Sequence, residues 1–345
     1  MKRLLLALPL LAGCLSFHEG PMPGEPPKAT YAQVKGARLR YLDVGQGPPV
    51  VLIHGFASSL ETWELLVPQL SKTHRVIAVD LKGFGWSDRP EGDYSPSAQA
   101  NHVLQLLDKL GVERAAFVAH SWGSSVTLAL ALNAPQRVSR IALYDAWVYE
   151  EQLPSTFLMA RASVVGEVLF SLFYDQRPDE RLSLAFYNKD IINEKLVEDV
   201  EKSLERPGTG AAQLAAVRGQ RFTEQQAKYR TINKQVLLLW GREDVVTTLA
   251  FGERLSRDLP HAHLVVYPRC GHFPMLEAKN ESNAELIKFL AAEDKGDEPP
   301  LDDKKGAEDG EGKKADDKKA DDKKTEEKKT EDKKADDKKA EEKKK

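Results

Sequence analysis

Ser121 stands where an apolar run gives way at once to an apolar helical pattern. Residues 115–119 predict a buried strand, and residues 124–133 predict a helix that follows directly. A turn this sharp has room only for small residues two positions on either side of its centre, where the chain has Ala119 and Gly123. Such a turn strains and exposes the serine, and the helix N-terminus behind it offers backbone N–H groups to a negative charge. The pattern predicts a nucleophile for acyl transfer.

Two later residues could supply the base and the acid that this serine needs. Asp244 and His272 each follow a continuous apolar run, so both are expected at the carboxyl ends of buried strands. We predict that His272 takes the proton of Ser121 and that Asp244 orients the histidine ring. Asp145 also follows a strand and could replace Asp244 as the acid.

Strands that alternate with amphipathic helices must position these side chains. This order predicts an α/β protein with a mostly parallel sheet and helices on both of its faces. The predicted strands are Tyr31–Val34, Leu39–Val44, Val50–Ile53, Val76–Asp80, Ala115–Ala119, Ile141–Tyr144, Val236–Trp240 and Leu264–Tyr267. The predicted helices are Leu60–Leu70, Ser97–Leu110, Ser124–Asn133, Ala250–Asp258 and Ser282–Ala292.

The alternation stops in residues 147–230, which instead predict several successive helices. These helices are Ser155–Phe173, Pro178–Asn188, Asn193–Leu204 and Ala211–Arg218. Four of their large apolar side chains are candidates for lining a substrate pocket: Phe157, Met159, Phe170 and Phe173. The alternative is that they only attach the insertion to the rest of the protein.

The chain resembles the α/β-hydrolase superfamily in four motifs that follow strands in the same order. They are the loop His54-Gly55-Phe56 after the third strand, the Ser121 turn, Asp244 and His272. The resemblance covers roughly Tyr31 to Leu290 and implies an eight-stranded sheet in two parts, 31–146 and 231–292, with residues 147–230 as a helical cap. It also implies an oxyanion site made by the backbone N–H groups of Phe56 and Trp122.

The identity of residue 121 narrows the chemistry that the resemblance allows. Haloalkane dehalogenases and epoxide hydrolases of this subgroup use aspartate there, whereas serine favours acyl substrates. We expect an esterase that acts on small apolar acyl groups. A C–C bond hydrolase is one alternative, and the export signal argues against it. A non-catalytic ligand-binding protein is another alternative. Ser-Trp-Gly-Ser also resembles proline iminopeptidases, but these carry His-Gly-Gly-Pro-Gly where this chain has His-Gly-Phe-Ala-Ser.

Neither a metal nor a cofactor is expected. The histidines show no consistent metal-ligand spacing. The loop Gly83-Phe84-Gly85-Trp86-Ser87 lacks the residues of a phosphate-binding loop and the third glycine of a dinucleotide fingerprint. Cys270 is expected to be a small buried residue rather than a nucleophile, because no sharp turn presents its thiol.

The N-terminus has the pattern of an exported and anchored protein. A positive start, a short apolar run and small residues predict a signal peptide over residues 1–13. Leu11-Ala12-Gly13-Cys14 resembles the lipobox of bacterial lipoproteins, which implies that Cys14 is lipidated and that the protein is anchored in the cell envelope. Residues 14–30, rich in Pro and Gly, are then expected to be a flexible tether.

The C-terminal segment 293–345 repeats a five-residue unit such as Lys-Lys-Ala-Asp-Asp. Residues 291–345 hold 18 Lys against 21 Asp or Glu, which accounts for the net charge of −3 of the whole chain. A five-residue period creates no apolar face, so we expect a disordered spacer. Contact with cell-wall polymers is an alternative role. No basic patch predicts binding to nucleic acid.

Overall fold

Eight strands form one sheet in the order β1-β2-β4-β3-β5-β6-β7-β8. The first two strands pair antiparallel, as do β2 and β4, and every other pairing is parallel. The bounds are Thr30–Val34 (β1), Ala37–Val44 (β2), Pro49–Ile53 (β3), Arg75–Val79 (β4), Ala115–His120 (β5), Val138–Tyr144 (β6), Val236–Gly241 (β7) and Ala262–Tyr267 (β8). The predicted α/β fold with a mostly parallel sheet is confirmed.

This computed structural model describes residues 15–172 and 178–292. Four predictions lie outside the described residues: the signal peptide 1–13, the lipidated Cys14, the pocket residue Phe173 and the tail 293–345.

The central strands are buried along their whole length because helices cover both faces of the sheet. All six residues of β5 and all six of β7 are buried. Two apolar clusters result, one on each face, and the larger contains Phe117 and Leu238. Buried parallel strands therefore form continuous apolar runs, which is why their positions could be predicted from the sequence.

In the described chain, three helices precede the insertion, six lie within it and three follow it. The bounds are Val67–Leu70 (α1), Pro96–Lys109 (α2), Gly123–Asn133 (α3), Ser155–Ala160 (α4), Val165–Leu172 (α5), Pro178–Ala185 (α6), Glu194–Leu204 (α7), Thr209–Gly219 (α8), Thr223–Gln226 (α9), Leu249–Asp258 (α10), Pro274–Glu277 (α11) and Lys279–Ala291 (α12). Short 3₁₀ turns occupy Leu60–Trp63, Pro135–Arg137, Glu150–Gln152, Lys189–Ile191 and Tyr229–Thr231.

Two predicted helices are broken in the structure. The predicted helix Leu60–Leu70 is a 3₁₀ turn followed by α1, because a proline in the first turn of α1 has no N–H to continue a helix through that point. The predicted helix Ser155–Phe173 divides into α4 and α5. The break falls at Val164, whose φ of 68° is incompatible with a right-handed helix. Gly166 then packs closely on the end of α4, where a Cβ would be 2.2 Å from the carbonyl oxygen of Ala160.

The N-terminal segment packs against the protein instead of forming the predicted flexible tether. His18 and Arg89 exchange two backbone hydrogen bonds of 2.9 and 2.8 Å, and the ring of Phe17 stacks on Tyr94. Residues 15–29 therefore lie along the body of the protein, fixed by contacts with residues far away in the sequence.

Candidate active site

Ser121 occupies the tight turn between β5 and α3. Its φ of 51° lies in the left-handed region that side chains other than glycine rarely adopt, so the predicted backbone strain is present. Gly123 allows the turn to approach the end of β3, because a Cβ at that position would lie 2.4 Å from the carbonyl oxygen of His54. The Ser121 amide donates to the carbonyl oxygen of Tyr144 at 2.9 Å, which ties the turn to the neighbouring strand β6.

A hydrogen-bonded chain joins Ser121, His272 and Asp244. The Oγ of Ser121 lies 2.9 Å from Nε2 of His272, and Nδ1 of His272 lies 2.8 Å from Oδ2 of Asp244. An ionised Asp244 can only accept, so Nδ1 carries the proton and Nε2 is left to accept the proton of the serine. This is the arrangement that a serine nucleophile needs for activation by a histidine base.

The surroundings of Asp244 keep it ionised. Burial opposes its charge, but the attraction of His272 and hydrogen bonds from His272 and Thr247 outweigh that cost and lower the pKa of Asp244 well below its ordinary value. Oδ1 accepts from the amides of Val246 at 2.7 Å and Thr247 at 3.1 Å, and Oδ2 accepts from the Thr247 hydroxyl at 2.6 Å. The acid is therefore held in place by its own loop.

Asp145, the alternative acid, makes no hydrogen bond to His272 in the structure. Its Oδ1 accepts instead from the backbone amide of Gly241 at 2.9 Å. Burial, together with the nearby charge of Asp244, raises the pKa of Asp145 well above its ordinary value, which favours the protonated form of this carboxyl group. The geometry thus distinguishes a carboxylate that is hydrogen-bonded to the histidine from a second carboxyl group that is not.

The oxyanion loop lies directly against the nucleophile. A Cβ on Gly55 would be 3.0 Å from Cβ of Ser121, so the loop that carries Phe56 approaches the serine closely. Trp122 is the N-cap of α3, where helix amides have no carbonyl partner within the helix and favour a negative charge. The structure therefore brings both predicted oxyanion residues next to Ser121.

The supporting roles of two residues were missed by the sequence analysis. His54 accepts from the amide of Leu81 at Nε2, so its Nδ1 donates to the carbonyl of Gly55 and fixes the oxyanion loop. Thr247 holds Asp244 as described above. The sequence did indicate the role of Thr247, since a threonine three residues after an aspartate is typical of a side-chain-capped turn. Nothing in the local sequence indicated that His54, although part of the loop motif, would make these hydrogen bonds.

The candidate pocket residues lie in three different environments. The ring of Phe157 lies 5.4 Å from that of Phe56, at the oxyanion loop. Phe170 is buried in a small cluster with Ala160, which attaches α5 to the rest of the insertion. Met159 is 55% exposed on α4, and its role in lining a pocket stays a prediction. A helical period alone did not show which side of this short helix faces inward.

Two reactive-type side chains near the triad are not placed to act as base or nucleophile. His120 donates from Nε2 to the backbone carbonyl of His272 at 2.8 Å. Burial and the neighbouring His272 lower the pKa of His120 well below its ordinary value, so this ring is neutral. Burial raises the pKa of the Cys270 thiol, which therefore stays protonated.

One group of side chains in the described ranges has the spacing of metal ligands. Donor atoms of Asp145, Asp244 and His272 all lie within 4.8 Å of one another. The hydrogen bond between His272 and Asp244 already uses the ring nitrogen that a metal would need. The expectation that the protein needs no metal and no cofactor stays a prediction.

Comparison with known proteins identifies the family. The family model described as alpha/beta hydrolase fold matches residues 48–279. The chain belongs to the alpha/beta hydrolase fold family. It is 31% identical over 284 residues to 2-hydroxy-6-oxo-2,4-heptadienoate hydrolase of Pseudomonas putida, covering 75% of this chain and 95% of that protein.

Two solved structures extend the similarity within this alpha/beta hydrolase fold family. The meta-cleavage product hydrolase of Pseudomonas fluorescens has a TM-score of 0.64 and 28% identity, over 76% of this chain and 97% of that one. Est816, described as an N-acyl homoserine lactone degrading enzyme, has a TM-score of 0.64 and 26% identity, over 75% of this chain and 100% of that one. These relatives assign the protein to the hydrolases.

Proposed function

We propose that the protein hydrolyses a carbon–carbon bond beside a ketone in a vinylogous diketone, with Ser121 as the nucleophile. The similarity to 2-hydroxy-6-oxo-2,4-heptadienoate hydrolase carries this proposal, because it spans 95% of that protein. A second relative, 2-hydroxymuconate semialdehyde hydrolase of a Pseudomonas species, is 30% identical and covered over 92% of its length. The preference from the sequence, which placed an ester first, is therefore reversed.

The hydrogen-bonded chain at Ser121 can perform both halves of this reaction. Nε2 of His272 takes the proton of Ser121 as Oγ attacks the ketone carbon, and the oxyanion that forms is held at Phe56 and Trp122. The carbon–carbon bond then breaks, its electron pair passes into the conjugated leaving group, and His272 returns the proton to that group. Water activated by His272 hydrolyses the acyl-enzyme and releases a carboxylic acid.

Ester or lactone hydrolysis is the second candidate, and the side chains around Ser121 favour it. The rings of Phe56, Trp122 and Phe157 lie edge to face or tilted against one another, with centroids 5.4 to 6.0 Å apart. Trp122 is buried, and the partly exposed Phe56 and Phe157 offer an apolar surface and no charge to the carboxylate that a dienoate substrate carries. The acyl-enzyme step is the same, but the leaving group is an alkoxide instead of a carbon acid.

A direct competition of substrates tests the proposal. One preparation is given 2-hydroxy-6-oxo-2,4-heptadienoate and, separately, p-nitrophenyl esters of increasing acyl length, and kcat/KM is measured for each. We expect the dienoate to be cleaved faster than every ester, with no turnover of either class by Ser121→Ala. Turnover of an ester with no cleavage of the dienoate would overturn the proposal in favour of the second candidate.

We also propose that Cys14 is acylated and anchors the protein in the cell envelope. The pattern of residues 1–14 supports this, since a short apolar run ends in Leu-Ala-Gly-Cys. No helix in residues 15–172 or 178–292 has the length and apolar character that crossing a bilayer requires. Cells expressing the chain and fed labelled palmitate should label the wild type and not Cys14→Ser. Equal labelling of both would contradict acylation at this residue.

A further inference from the structure

The surface of residues 155–172, here called the α4–α5 segment, exposes a group of large apolar side chains. Each of them is between 40 and 55% exposed: Leu158, Met159, Val164, Val165 and Leu172. Apolar side chains scattered singly over a surface are ordinary, but five exposed ones within residues 155–172 indicate an interaction site.

The charged residues of the α4–α5 segment are both paired toward the rest of the protein. They are Arg161, which lies 2.6 Å from Glu150, and Glu167, which lies 2.8 Å from Arg218. No other charged residue occurs in residues 155–172. Because the two ion pairs are internal, the outer side of the segment presents apolar atoms without a charge that would oppose contact with an apolar phase.

Val164, in the turn between α4 and α5, combines a strained backbone with an exposed side chain. Its φ is 68°, in a region where a β-branched side chain is a true outlier. Glycine or asparagine would fit this backbone at lower cost, and the side chain is 42% exposed. Burial within the protein therefore offsets little of this strain.

Helix α4 also reaches the candidate active site. Phe157 in α4 contacts Phe56 of the oxyanion loop, while the next two residues, Leu158 and Met159, are exposed. The described chain begins nearby, because Leu15 packs on the cluster of Ala160 and its neighbours in the insertion. Residue 14, the proposed site of acylation, therefore joins the protein beside the α4–α5 segment.

We propose that the outer side of the α4–α5 segment binds the surface of a phospholipid bilayer. The apolar side chains enter the interfacial layer, and the insertion then lies between the lipid and Ser121. This interaction goes beyond the proposed reaction, and it does not require the acyl anchor, which the test removes.

Vesicle flotation of the full chain carrying Cys14→Ser tests the proposal. Vesicles of pure phosphatidylcholine have no net charge, so binding to them reports apolar contact. We expect this chain to float with the vesicles and the added pair Leu158→Ser with Met159→Ser to lower the bound-to-free ratio about tenfold. The matched control is Leu65→Ser with Leu184→Ser, two apolar residues outside the segment that are 40% and 65% exposed, and it should bind like its parent.

Three results would overturn the proposal. The first is no flotation of the parent chain, and the second is equal loss of flotation in the control pair. The third is a dimer on size-exclusion chromatography that the Leu158→Ser, Met159→Ser pair dissociates and that vesicles do not compete for, which would make a second copy the occupant. Thermal unfolding of each variant confirms that it is folded before flotation.

Discussion

At the carboxyl ends of β5, β7 and β8, polar and strained residues are buried, whereas in the α4–α5 segment apolar residues are exposed. Ser121 is only 4% exposed, yet Met159 is 55% exposed. Polar side chains are usually exposed and apolar ones buried, so the two regions depart from the usual distribution in opposite ways. The sheet end buries polar groups because their hydrogen bonds to one another replace those to water, and such a site is held rigidly. In the insertion, the exposed apolar side chains lie where a substrate or a membrane surface would make contact.

The largest expected effect is on kcat, and it tests whether Asp244 or Asp145 orients the ring of His272. Asp244→Asn should lower kcat by about 10⁴-fold, because the amide no longer fixes the histidine tautomer. Asp145→Asn should change kcat little, since Asp145 makes its hydrogen bond to the amide of Gly241 and none to the ring. Steady-state kinetics of both variants decides between them. A large loss in Asp145→Asn with activity retained in Asp244→Asn would exchange their roles.

A pair of glycines compares the packing of the two regions. Gly123→Ala should lower the free energy of unfolding by about 3 kcal/mol, because its Cβ would meet backbone atoms that cannot move aside. The nearest of them is 2.4 Å away. Gly210→Ala, in the insertion, would meet only the end of the Leu15 side chain, so its effect should be under about 1 kcal/mol.

Chemical denaturation measures both changes. Equal effects of the two substitutions would contradict the view that the sheet end is the more rigidly packed region.

The strands were predictable and much of the insertion was not. Continuous apolar runs mark buried parallel strands whatever their neighbours are, so β5 and β7 could be located from their own residues, and Ser121, Asp244 and His272 followed as strand-end residues. In the insertion, helices carry apolar residues on more than one side. Whether Met159 faced inward depended on packing partners distant in the sequence, and so did the docking of His18 on Arg89.

The pH dependence of stability should differ between wild type and Asp145→Asn. The raised pKa of Asp145 means that the folded protein holds a proton that the unfolded chain releases above about pH 4. Wild-type stability is therefore lost as the pH rises from that value through the raised pKa, by up to about 1.4 kcal/mol per pH unit from this group. The asparagine variant escapes this loss.

Unfolding by urea at pH 5 and pH 7 measures this difference. We expect the stability of Asp145→Asn relative to wild type to increase between the two values. A constant difference would show that Asp145 is ionised in the folded protein, contrary to the account of the sheet end.

The smallest effect is expected at the turn of the α4–α5 segment. Val164→Gly should raise the free energy of unfolding by about 1 kcal/mol, because glycine adopts a positive φ without strain. Val165→Gly, the adjacent position at the start of α5, should instead lower it, since glycine weakens a helix. Thermal unfolding of both variants distinguishes strain at the turn from a general effect of glycine.

Covalent labelling of the nucleophile tests the central claim most directly. A fluorophosphonate reacts with a serine only when a histidine base and an oxyanion site activate it. Mass spectrometry of the digested protein should find one adduct, on the peptide that contains Ser121, and none in Ser121→Ala. Folded wild-type protein that takes no label, or an adduct that persists in Ser121→Ala, would contradict the account and favour a binding protein on this fold.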